Sequence, residues 1–101
     1  MESVVVHGGI AVRPEEVERV TGLATTFSAA CRAEDGCVAY ELSWDVADPT
    51  YLRLVEHWES DAAYEAHRGQ PHVAEWARMI TAAQAAPLQG TRVFARPYDH
   101  A

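Results

Sequence analysis

A chain of 101 residues is long enough to bury one core and too short to hold two. Hydrophobic residues make up 49% and charged residues 23%, a balance that folds without metal or disulfide staples and excludes intrinsic disorder. Fifteen acidic against eight basic residues leave a formal charge of -7, which repels phosphate backbones and anionic headgroups, so neither a nucleic acid nor a membrane is an expected partner.

No apolar run approaches the roughly 20 residues that cross a bilayer, and Met1-Glu2-Ser3 opens no signal-type segment. The expected location is the cytoplasm. Cys31 and Cys37 make no CxxC pair and are too few for a disulfide scaffold. They read as reduced, packed small hydrophobes, with a bridge between them left geometrically open.

In chain order, Val4 to Val12 is a β-branched run that predicts a strand, and Gly8-Gly9 inside it marks a bulge or a close backbone approach. Pro14 followed by Glu15 and Glu16 opens a helix to about Arg32, with Val17, Val20, Ala24, Phe27 and Cys31 along one face. Glu34-Asp35-Gly36 makes a turn. Cys37 to Val46 then alternates, placing Val38, Tyr40, Leu42, Trp44 and Val46 on one side and Glu41, Ser43 and Asp45 on the other.

After the Asp48-Pro49 turn, Tyr51 to Glu59 folds back as an antiparallel partner, with Leu52, Leu54, Glu56 and Trp58 sharing a face. Ser60 is an N-cap, and the helix it opens is interrupted at Gly69 and Pro71 before a second stretch to about Ala83, striped by Val73, Trp76, Ala77 and Ile80. Leu88 to Pro97 is the last strand, ahead of a short polar tail.

The order strand, helix, strand, strand, helix, strand predicts an α+β, ferredoxin-like split βαβ domain over residues 1–101, with both helices on one face of a four-stranded antiparallel sheet. The other face carries Val5, Ala11, Cys37, Ala39, Tyr51 and Val55. That set is too apolar for open water, so a homodimer packed sheet against sheet is expected.

Chemistry concentrates between Glu56 and His67, at a strand end and the helix after it. Alternation sends Glu56 and Trp58 into the space between sheet and helices. A carboxylate there is a candidate base, against the alternative that it pairs with an arginine or a backbone donor. Trp58 and Trp76, by spacing alone, read as core fillers, and Tyr64 as a hydroxyl at the pocket rim. His57 points to the opposite face. His67 and His72 stand five apart across the helix break and share no regular face, and HExxH and Cys/His patterns are absent, so no dedicated metal site is expected. Neither a GxSxG elbow nor a GxGxxG turn is present.

Taken together, Glu34-Asp35-Gly36-Cys37 with Tyr40, the Asp48-Pro49 turn, Glu56-His57-Trp58, His67 and Pro71-His72 resemble the antibiotic biosynthesis monooxygenase family of small dimeric α+β barrel proteins. Trp58-Glu59-Ser60 with Ala63-Tyr64 is similar to the segment of its cofactor-free members that oxidise polyketide anthrones. The resemblance implies a cavity lined by Trp58 and Tyr64, with Leu54 four residues before the tryptophan and Arg78, across a one-residue gap, at the place of a pocket arginine. Tyr40, His72 and Trp76 complete the expected substrate contacts. It further implies a monooxygenase that needs no cofactor, taking dioxygen and a phenolic, anthrone or quinol-type aromatic, with Glu56, His67 or His72 as proton acceptor.

Two alternatives remain open. A haem-degrading branch of the same fold carries an axial histidine nine or ten residues after its tryptophan, as His67 follows Trp58. A non-catalytic dimer that binds a small aromatic metabolite is the other, since a fold alone does not guarantee chemistry.

Overall fold

A computed structural model describes residues 2–97; the tail after Pro97 lies outside the described residues. The elements run β1 (Ser3–Ala11), a 3-10 turn (Pro14–Glu16), α1 (Val17–Arg32), β2 (Cys37–Trp44), β3 (Tyr51–Trp58), α2 (Asp61–Arg68), α3 (Pro71–Thr81) and β4 (Gln89–Ala95). One sheet of four strands forms in the order β2-β3-β1-β4, with every pairing antiparallel. Three helices stand where two were expected in outline, because Gly69 and Pro71 divide the second into α2 and α3. This is the ferredoxin-like α+β fold.

The core lies between the helices and one sheet face. Val4, Ile10, Leu52, Trp58 and Tyr40 come from the strands, and Val20, Phe27, Cys31, Trp76 and Ile80 from the helices. The apolar stripe of α1 meets the sheet as its three- and four-residue spacing demands. In β1 the double glycine serves a close approach and not a bulge, since its pairing with β3 and β4 runs without a register shift. A Cβ on Gly8 would stand 2.1 Å from the Gln89 carbonyl oxygen of β4.

Two expectations for β2 are corrected. The strand ends at Trp44, so Val46 is fully exposed beyond it. A bulge between Cys37 and Ala39 leaves Val38 unpaired and 58% exposed, and it puts Cys37 opposite Trp58 on the helix side. Cys37 therefore packs against the core and does not belong to the open face. Cys31 and Cys37 are both free thiols.

Among the described residues no helix is long and apolar enough to cross a membrane.

Candidate active site

The turn from α1 into β2 sets the site. Gly36 has φ +82, a backbone region that L side chains avoid, and a Cβ there would meet the Ala63 side chain of α2 at 2.6 Å. The Gly36 carbonyl accepts from the Glu59 N–H at 2.8 Å, so turn, strand end and α2 are stitched together. On the same side Ser60 caps α2, its Oγ accepting from Ala63 N at 3.1 Å, a contact worth about 1 kcal/mol. These two devices bring Glu34, Glu56 and His67 into one cluster.

Trp58 Nε1 donates to Glu56 Oε1 at 3.0 Å, and His67 Nε2 lies 3.4 Å from the same oxygen. On its other side, His67 Nδ1 meets Glu34 Oε2 at 2.8 Å, and that oxygen also meets His72 Nε2 at 2.7 Å. The result is a chain Glu56, His67, Glu34, His72 that starts buried and ends at a side chain 28% exposed. Glu56 and His67 are 5% and 4% exposed, and Trp58 is completely buried. Burial, and secondarily the charge of Glu34, raises the Glu56 carboxyl above its ordinary value, while the Trp58 N–H and His67 pull the other way. Among the described residues Glu56 Oε1 takes both contacts and Oε2 takes none.

In front of this chain opens a cleft of about 470 Å³ between the sheet and the helices. Tyr40, Leu54, Glu56, Tyr64, His67 and Trp76 all line it, six of the nine residues picked out from sequence. Phe27 stacks on Trp76 with ring centroids 4.6 Å apart and planes 1° from parallel, and Tyr40 meets the Phe27 ring edge-on at 5.6 Å. Tyr64 is held from the strand side: Arg92 of β4 lies over its ring at 4.8 Å and is itself tied to Asp61 and Glu65 at 3.0 Å each. Burial raises the Tyr64 phenol, as it does more strongly the Tyr40 phenol.

Three of the sequence-picked residues stand elsewhere. Trp58 is not on the cleft wall; its indole lies behind Glu56 and touches the site through that carboxylate. His72 sits at the far end of the chain, facing a separate surface groove with Phe27, Ala30 and Glu75. Arg78 is exposed on the outer side of α3, and the arginine at the cleft is Arg68 at the end of α2. His67 on α2 and His72 on α3 share no regular helical face, as their spacing across the break implies, and they meet through tertiary structure instead. The break redirects α3 so that both imidazoles converge on Glu34, which sequence reading had treated only as part of a turn.

Comparison with known proteins places this geometry. The family model described as antibiotic biosynthesis monooxygenase matches residues 3–79, which contain every member of the Glu56 to His72 chain. An uncharacterised protein of Synechocystis, sll1783, is 31% identical over 75 residues, covering 74% of this chain and 51% of its own length. Rv0793 of Mycobacterium tuberculosis, provisionally named a monooxygenase, is 34% identical over 68 residues, covering 67% of this chain. The chain thus spans about half of the first and 66% of the second. Among solved structures, Rv0793 superposes with a TM-score of 0.85 at 28% identity, covering 98% of both chains. A Deinococcus radiodurans protein provisionally assigned to the antibiotic biosynthesis monooxygenases superposes with a TM-score of 0.89 at 25% identity, covering 97% of both. The matched segment, the shared fold and the relatives agree, and the chain belongs to the antibiotic biosynthesis monooxygenase family.

Proposed function

We propose that the protein is a monooxygenase that oxidises a flat, electron-rich aromatic of the phenolic, anthrone or quinol class with dioxygen and without a bound cofactor. The observation that carries this reading is Glu56, a buried carboxylate with raised proton affinity on the wall of an aromatic-lined cleft. Trp58 fixes Oε1 and leaves Oε2 for the substrate. The Phe27 and Trp76 rings, with Tyr64 across the cleft, give a flat molecule its walls.

Glu56 takes the acidic proton of the substrate, and the resulting anion passes one electron to dioxygen. The radical pair then combines to form a C–O bond, and cleavage of the O–O bond leaves one oxygen in the product and releases the other as water. For an anthrone this converts a ring CH2 to a carbonyl with two hydrogens leaving in the water. The proton on Glu56 has a route outward through His67 and Glu34 to the half-exposed His72. Haem degradation finds less support: His67, its expected axial ligand, is 4% exposed and has a carboxylate at each ring nitrogen.

The test is oxygen uptake by chelator-stripped protein with a panel of anthrones and hydroquinones, autoxidation subtracted. One dioxygen consumed per substrate, lost in Tyr64→Ala, is the expected result. Compounds that raise the melting temperature with no uptake above autoxidation would overturn the reading in favour of a binding protein.

A further inference from the structure

One cluster of side chains starts at the cleft wall with His67 and extends away from the cleft to His72 at a separate surface groove. Cys31 on α1, Glu34 in the turn after it, His67 on α2 and His72 on α3 each offer one donor atom, and these atoms all lie within 4.8 Å of one another. The hydrogen bonds of Glu34 with the two imidazoles account for three members of this set. The Cys31 thiol, completely buried against the Tyr40 hydroxyl, stands within 4.8 Å of those donor atoms and takes no part in the Glu34 hydrogen bonds.

We infer that Cys31, Glu34, His67 and His72 form a binding site for one divalent transition-metal ion of the zinc class, at the junction of α1, α2 and α3.

The donor set decides the class of ion. One thiol, one carboxylate and two imidazoles make the mixed sulfur, oxygen and nitrogen tetrahedron that zinc accepts, whereas calcium and magnesium call for six or more oxygens. Bonds of about 2.0–2.3 Å separate tetrahedral ligand atoms by roughly 3.3–3.7 Å, so the Glu34 contacts must open by about 1 Å or less. An ion reaches the site from the His72 side, where that ring borders the surface groove with Phe27 and Ala30.

The outer shell is already in place. With its Nδ1 on the metal, His67 carries its proton on Nε2, which faces Glu56 Oε1 at 3.4 Å, the carboxylate-histidine-metal arrangement that orients such ligands. Burial and the neighbouring carboxylates hold the Cys31 thiol protonated in the metal-free chain, so binding expels that proton into solvent. The ion would take up His67, Glu34 and His72, the groups of the proposed proton route, so its binding is measured by itself and not through oxygen uptake.

The experiment is a cobalt(II) titration of the full chain after chelator treatment, followed by absorbance, with zinc(II) as competitor. One equivalent is expected to give the intense visible bands of tetrahedral cobalt and a near-ultraviolet thiolate-to-cobalt charge-transfer band, both erased by zinc. Cys31→Ser should lose the charge-transfer band and Cys37→Ser should keep it. His72→Ala, at the more exposed of the two imidazoles, should weaken binding beyond the roughly 10–100-fold that loss of an outer-shell partner costs. Absence of saturable binding by the parent chain, an unchanged signal in a folded His72→Ala, or a charge-transfer band that follows Cys37 would each overturn the assignment.

Discussion

Along β3, Leu52, Leu54, Glu56 and Trp58 point under the helices while Tyr51, Arg53, Val55 and His57 point to the bare side of the sheet. The covered side holds a buried carboxylate, an indole that serves it and a cleft with aromatic walls. On the bare side apolar residues alternate with charged ones: Val55 stays 42% exposed, Arg53 pairs with Asp45 at 2.8 Å, and His57 Nε2 contacts Ser3 Oγ at 2.9 Å. A single eight-residue strand therefore serves two surfaces with different physics. One desolvates a charge so that it holds protons strongly; the other presents a patterned surface that a second subunit can cover.

The largest break in that comparison is Glu56→Gln. Removing the base should lower substrate-dependent oxygen uptake by about 10²–10⁴-fold, the usual weight of general-base catalysis. The same change also reports the carboxylate's burial. Because the folded state holds the Glu56 proton more strongly than the unfolded chain does, wild-type stability falls as pH rises from the ordinary glutamate value of 4.5 toward the raised one, and the penalty persists above it. The variant lacks that penalty. Its melting temperature should match wild type below the ordinary value and exceed it above, the gap widening until the raised value is passed and then holding constant. Uptake retained in the variant would move the base elsewhere on the cleft wall, and a melting-temperature difference independent of pH would show that Glu56 is not desolvated as described.

The open side is probed by Val55→Asp. We expect light scattering of the wild type at micromolar concentration to give twice the chain mass, and the aspartate, placed on the bare face between His7 and Glu41, to return it to one chain. A monomeric wild type would instead leave the bare face without a second copy of the chain.

How far the sequence carried depends on the range of the contacts. The alternation of β3, the apolar stripe of α1, the Ser60 cap and the break at Gly69 and Pro71 are local patterns, and each appears in the fold within a residue or two. Glu56 was legible as a cleft carboxylate because period-two alternation alone settles which face it takes. The β2 bulge was not, since nothing in Cys37-Val38-Ala39 announces an unpaired residue, and it moved Cys37 to the covered side. Nor was the convergence of His67 and His72 on Glu34, residues 33 and 38 positions apart, because helical spacing says nothing about how α2 and α3 turn toward the end of α1. Register puts Trp58 on the same face as Glu56, but only side-chain burial shows that it lies behind the cleft wall and not on it.

Two glycines give the finest comparison. Gly9 lies on the bare face, where an added Cβ would fall 2.3 Å from the Tyr51 ring, while Gly22 is on the outer side of α1 with nothing within 4 Å. Gly9→Ala must push the Tyr51 ring off the sheet, which should cost about 1–3 kcal/mol as overpacking does and disturb the surface that Val55 shares. Gly22→Ala should add about 0.5–1 kcal/mol, because alanine restricts the unfolded chain and favours the helix interior without touching a neighbour. Urea midpoints measure both. Oxygen uptake measured alongside separates the causes, since Gly22→Ala changes stability far from Glu56 and should leave turnover as it is. If turnover followed the midpoint in that variant too, activity losses elsewhere would have to be corrected for stability before any residue of the covered face is assigned a chemical role.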